Sequence, residues 1–398
     1  MAFAGADLEP LRQRLLDRLA RDENDANAAM DLSIVLQLMG QRDLGLAVQA
    51  LALQNAQIFR VRCASDVPSV RLLAIVSPGD LTQNNALEFL VESSDIELNL
   101  LYVGPDLPLP STLPEHDMAM VAVCETDRNR PLLDYIGKLL KWWPRPVLCA
   151  PDKIARLSRD GACACLKPAP GIVVPPTARI SRAALRKIAK EELSIEDFLP
   201  GAAFPIIARP VDSQKGFGLA KLETPAAVAE YLQTRLEHAF YVAPFVDYRG
   251  TDGQFRKYRI LLIGGRPYAC HMAISDHWMV HYVRAGMLEN TEKRAEEAQF
   301  FASFDNDFAR RHHDALCRIA TEIDLEYVGI DCGETPDGRL LIFEVDSGMT
   351  VHAMDPVDIF PYKQPQMHKV FRAFREMLIA HHSQAQSART SLLFTGKF

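Results

Sequence analysis

Apolar and polar positions change period partway along this chain. From residue 8 to about 60 the pattern is helical. Leu32, Val35, Leu36 and Met39 form one apolar stripe, and after Gly40-Gln-Arg-Asp43 a second runs through Leu44, Val48, Leu51 and Ala52. From residue 70 short apolar runs take over. Residues 71–76, 96–103, 118–123 and 146–149 read as buried strands, with helices at 81–92 and 132–143. Strands alternating with helices predict a small parallel α/β unit. The extended stretch 171–177 reads as a crossing to a second α/β region, with strands at 204–208, 219–222, 240–246, 259–263 and 267–274. Two apolar runs, 328–331 and 339–346, flank the turn Glu334-Thr-Pro-Asp-Gly338 and predict a hairpin. The Ser-, Gln- and Ala-rich residues 381–398 read as a loose tail.

This pattern divides the chain into a helical extension at 1–65, an α/β unit at 66–150, a larger unit at 151–380 and the tail. At 398 residues, two or three cores are expected. With 48% hydrophobic and 24% charged residues the chain reads as folded. A formal charge of −7 argues against a general nucleic-acid binder. No signal peptide or membrane-spanning run is evident, and the eight scattered cysteines form no CxxC pair. The expectation is a reduced, cytoplasmic protein. The loop Ser77-Pro-Gly-Asp80 follows the first strand of the smaller unit but lacks GxGxxG, so a strict dinucleotide fold is not expected.

Candidate chemistry lies in three places. The hairpin puts Asp331, Glu344 and Asp346 inside apolar sequence, where a carboxylate is costly unless compensated. Glu344 and Asp346 share one strand face, and Asp331 joins them if the register matches. Three converging carboxylates suit Mg²⁺; an acid-tipped surface hairpin fits the same residues. Upstream, Arg209-Pro-Val-Asp-Ser213-Gln-Lys215-Gly216-Phe-Gly218 is a glycine loop that can fold backbone N–H groups over phosphates, or a plain β-turn. Between them, 240–246 could line an adenine slot, and Lys257 and Arg259 alternate on one face to meet an anion or solvent. A fourth segment, from His271 through His277, Trp278, His281 and Tyr282 to Arg284, suggests contact with a substrate. Its i, i+4 histidines and aromatics leave metal binding and packing both open.

In this order, the elements over residues 70–380 resemble the ATP-grasp superfamily, as in glutathione synthetase and D-alanine–D-alanine ligase. Glu344-Val-Asp346 sits where that family carries a Glu-x-Asn metal signature. The resemblance implies an α/β grasp: a small Rossmann-like domain, then a two-subdomain ATP-binding fold. It implies that Asp331, Glu344 and Asp346 hold Mg²⁺ and that Arg209, Ser213, Lys215, Gly216 and Gly218 attend the phosphates of ATP. Ala243, Phe245 and Val246 would border the adenine, and Lys257, Arg259 and His271 would face the reacting groups. The family's reaction joins a carboxylate to an amine, on small molecules or peptides, through an acyl phosphate. The alternatives are a degenerate nucleotide-binding scaffold and a phosphotransferase. Departures from the pattern are Gly161 where a lysine is common, Arg209 for Lys and Asp346 for Asn; Lys153, Lys167 or Lys215 are the compensating cations to consider. The N-terminal pattern 27–52 resembles one tetratricopeptide-type helix pair, offering a surface for a protein partner or a second copy of the chain.

Overall fold

The computed structural model describes residues 5–166, 169–214 and 216–395. Lys167 and Lys215 lie outside the described residues. Three helices open the chain, Glu9–Arg21, Ala26–Leu38 and Arg42–Asn55. Asp25 starts the second by accepting the Ala28 N–H at 2.9 Å. The first apolar stripe is internal, with Leu32, Val35 and Leu36 buried. The second is split: Leu44 and Leu51 are 53% and 57% exposed, Val48 is half-buried and Ala52 buried, and Gly45, Gln49 and Leu53 share the inner face. The helices cross at Gly45, where a Cβ would stand 2.8 Å from the Ser33 carbonyl oxygen, so the contact face is set by a small residue. Gln49 then ties the helices to the next unit, accepting from Gly79 N at 2.8 Å and donating to Gly79 O at 3.0 Å.

The first sheet contains β1 (Ile58–Val61), β2 (Val70–Val76), β3 (Ile96–Tyr102), β4 (Met118–Val121) and β5 (Val147–Leu148), in the order β1-β3-β2-β4-β5. It is parallel except for β1, an antiparallel edge that the sequence pattern did not reveal. Every residue of β2 but Arg71 is buried, as befits a strand covered on both faces. Only Leu87–Leu90 of the helix expected at 81–92 forms. Asp80 binds Thr82, Asn84 accepts from Ser77 N, and Asn85 donates to Ser347 O at 2.8 Å, so side-chain bonds displace helical ones.

The crossing segment supplies β6 (Ile172–Val173). A smaller antiparallel sheet follows: β7 (Ala178–Ser181), β8 (Ile206–Pro210), β9 (Ala220–Leu222) and β10 (Ala239–Pro244), ordered β7-β10-β8-β9. The large sheet is β12-β11-β13-β14-β6, built from β11 (Phe255–Ile263), β12 (Arg266–Ser275), β13 (Tyr327–Glu334) and β14 (Leu340–Asp346). Its strands are antiparallel except that β6 runs parallel to β14. The α/β class matches the expectation. Helices Thr291–Ser303, His313–Ile323 and Lys363–Thr395 pack on β12. There Tyr258 meets the rings of Phe300 and Phe308, leaving its neighbours Lys257 and Arg259 to the opposite face. The last helix continues to Thr395, through the described part of the segment expected to be a loose tail. Among the described residues no helix is long and apolar enough to cross a membrane.

Candidate active site

The antiparallel register lines up one row of polar side chains across the large sheet. His271 pairs with Arg259, Arg259 with Asp331, and Asp331 with Glu344, while Asp346 pairs with Gly329. The acids thus share a face, as the alternation required. Asp331 is 3% exposed and fully engaged. Lys257 Nζ lies 2.9 Å from Oδ2, and Arg259 donates from Nε to Oδ1 at 2.8 Å and from Nη2 to Oδ2 at 3.0 Å. Burial alone would raise the Asp331 pKa, but Arg259 and Lys257 outweigh it and hold the carboxyl far below its usual range.

Glu344 is held differently. Arg159 donates from Nη2 to its Oε1 at 2.6 Å and from Nη1 to Phe343 O at 2.8 Å. Enclosure works to raise the Glu344 pKa; Arg159 and Arg209 prevail and lower it. Among the described residues no cation bonds Asp346 directly; Arg259 and Arg159 act on it only at longer range. Its Oδ1 accepts from Gly348 N at 2.8 Å, and burial together with the charge of Glu344 pushes its pKa up to about 6.

Among the described residues no group of three His, Cys, Asp or Glu side chains is placed to hold a metal ion. The three-carboxylate site expected from sequence is therefore not assembled in this arrangement. The reason is that both oxygens of Asp331 are taken by Lys257 and Arg259. Glu344 and Asp346 do fit Mg²⁺. They are adjacent, partly open to the cleft and repel each other, and a divalent ion completed by phosphate and water oxygens would relieve that repulsion.

Arg159 is the residue that sequence reasoning passed over. Gly161 lies inside the helix Arg159–Leu166 and cannot carry a side chain cheaply. A Cβ there would stand 2.5 Å from Arg156 O. The charge enters two residues earlier, at the first position of that helix. That arginine stands two residues before Gly161 in Leu157-Ser-Arg-Asp-Gly161, but only the docking of the helix on β14 reveals that it reaches Glu344.

The small sheet faces this row with its loop. Arg209, 8% exposed, donates from Nε to Ser213 Oγ at 3.1 Å and bonds Ser213 O through Nη2. Burial and the nearby Arg159 bring its pKa down to about 10, against the opposing pull of Glu344. Gly216 and Gly218 have φ of +73° and +67°, the left-handed turn that lets the loop double back. A Cβ on Gly216 would lie 3.8 Å from Met279 Sδ, so the loop reaches the segment after β12. Ala243, Phe245 and Val246 are half-buried where the chain passes from β10 to the large sheet. The Phe245 ring has Lys221 Nζ at 4.1 Å and Trp278 edge-on at 5.9 Å. His271 reaches the cleft with its ring 4.8 Å from Tyr282, and burial followed by Arg259 drives its pKa well down. The i, i+4 pair His277 and His281 is not helical: His277 Nδ1 accepts from Met279 N, and the short turn Tyr282–Arg284 begins after His281.

No family model matches the chain, and no curated protein matches it. Solved structures do. The D-alanine-D-alanine ligase of Coxiella burnetii is 11% identical over 82% of this chain and 99% of its own, with a TM-score of 0.47. That of Bacillus anthracis is 12% identical over 79% and 99%, with a TM-score of 0.48. A RimK domain ATP-grasp protein from Sphaerobacter thermophilus is 16% identical over 78% and 98%, with a TM-score of 0.41.

Proposed function

We propose that this chain is an ATP- and Mg²⁺-dependent ligase that joins a carboxylate to an amine. The observation that carries the reading is the ionic row, in which Arg159 and Arg209 stand at Glu344 while Lys257 and Arg259 converge on Asp331. Such a cleft has separate positive places for nucleotide phosphates and for a carboxylate. In this reading Arg159 and Arg209 attract the phosphates, and Ser213, Gly216 and Gly218, with Lys215, close over them. Ala243, Phe245 and Val246 border the base. Lys257 and Arg259 orient the substrate carboxylate, held rigid themselves by Asp331, and His271 lines its pocket.

A carboxylate oxygen attacks the terminal phosphorus of ATP and ADP leaves. The amine then attacks the acyl carbon, phosphate departs, and the amine's proton passes to solvent. Mg²⁺, when bound by Glu344 and Asp346, would neutralise charge on the transferring phosphoryl group. The chain's own contribution is positioning and fixed charge.

The test is calorimetric titration with a non-hydrolysable ATP analogue, with and without Mg²⁺. Binding should require Mg²⁺ and be lost in Glu344→Gln; Mg²⁺-independent binding unchanged in that variant would remove the assignment. A second reading is a nucleotide-binding scaffold served by the N-terminal helices, and one observation favours it: Asp331 is already neutralised by two cations. It predicts analogue binding without ADP release across a panel of carboxylates and amines.

A further inference from the structure

The ionic row has two positive ends. Arg159 and Arg209 bear on Glu344 at one. At the other, beyond Arg259, stand His271, His281 and Arg284. Three strand spacings separate Glu344 from His271, roughly 14 Å at about 4.8 Å per strand. Nucleotide phosphates at the first end and one carboxylate at Lys257 and Arg259 leave His281 and Arg284 unaccounted for.

Charges at the second end do not cancel. Lys257 and Arg259 share the single carboxylate of Asp331. Arg284, exposed on the turn Tyr282–Arg284, makes no ion pair or side-chain hydrogen bond among the described residues. The His281 ring neighbours Lys257, Arg284 and Arg259, and the His271 ring Arg259, Lys257 and Lys363, with Asp331 the one anion acting on both. Both rings have a buried Nδ1 with no hydrogen-bond partner. Orphaned buried nitrogens are rare in native proteins, and here both belong to rings that neighbour Lys257 and Arg259. The wall behind them is stiff. Tyr282 donates to the fully buried Glu297 at 3.0 Å, Tyr362 donates to the same carboxylate at 2.7 Å, and Lys363 bonds the Tyr282 hydroxyl. The glycine loop closes on this end through Gly216 and Met279.

Building on the ligase reading, we infer that the carboxylic substrate is a small dicarboxylic acid. One carboxylate meets Lys257 and Arg259 and turns toward the phosphates. The second is received by Arg284 and His281, whose N–H groups suit a planar pair of oxygens.

Calorimetry with acetate, succinate and glutarate, each alone and with Mg²⁺ and the ATP analogue, tests this. One dicarboxylate should bind at least tenfold more tightly than acetate. Arg284→Gln should erase that preference while leaving analogue affinity within twofold, with circular dichroism confirming the fold. His281→Ala should weaken the same dicarboxylate and spare acetate. Dicarboxylates no tighter than acetate overturn the inference, and so does an Arg284→Gln variant that loses the analogue instead, because the arginine then serves phosphate. If the analogue binds and the dicarboxylates do not, this inference alone fails. If the analogue fails while an Arg284-dependent preference persists, the nucleotide reading fails and the anion site stands.

Discussion

Asp346 and Arg159 carry opposite lessons about charge in the cleft. Asp346 titrates near 6 in the folded chain against an ordinary 3.8, so the folded state binds the extra proton between those values. Stability therefore falls as pH rises from about 4 to about 6, and the penalty is fully present above that window. Asp346→Asn should stabilise the metal-free chain by up to about 3 kcal/mol at pH 8, and should change little at pH 3.5, as read by urea unfolding. Equal gains at both pH values would mean that packing, and not ionisation, sets the cost. Arg159→Ala leaves Glu344 with only the more distant Arg209. It should weaken the ATP analogue tenfold or more, whereas Gly161→Lys should destabilise the fold without improving affinity, since its Cβ meets Arg156 O. Tighter analogue binding in Gly161→Lys would restore the sequence-based view of that position.

Among the elements, the N-terminal helices and the hairpin show where periodicity suffices. In β13 and β14 the two-residue alternation named the shared face of Glu344 and Asp346, and the observed register, pairing Asp331 with Glu344, adds the third acid to it. In the third helix the apolar stripe misled: Gly45 permits a close crossing that rotates Leu44 and Leu51 to the outside. Leu44→Gln and Leu51→Gln should each shift stability by no more than about 0.5 kcal/mol, while Gly45→Val should cost about 1–3 kcal/mol by overpacking against Ser33 and Gln37. Urea midpoints of the three variants decide which face is inside. The shortened helix at Leu87–Leu90 failed to follow its pattern for another reason: Asp80, Asn84 and Asn85 found backbone partners outside any helix. Such competition depends on neighbours in space, so it leaves little trace in local sequence. The same holds for Arg159, which only the packing of one helix against β14 brings to the acids.

Across the whole molecule, the first sheet, the small sheet and the large sheet are joined by specific polar contacts. Asp127 N donates to Asp212 at 2.9 Å and Arg179 pairs with Asp127, linking the first unit to the small sheet. Arg375 clasps Asp95 from the last helix at 2.7 Å. Arg179→Ala should therefore free the small sheet to swing, raising amide exchange in residues 178–222 without altering that of β13 and β14. Uniform exchange in both would remove the clasp from the account. The connector has a further consequence. Ile172–Val173 is a full member of the large sheet and caps β14, the strand that carries Glu344 and Asp346. A chain begun after residue 177 would carry the large sheet with one raw margin of unpaired N–H and C=O groups on Leu340 and Leu341. Copies of such a fragment would pair through that margin and stack into assemblies, so the two residues of β6 also guard the large sheet against aggregation.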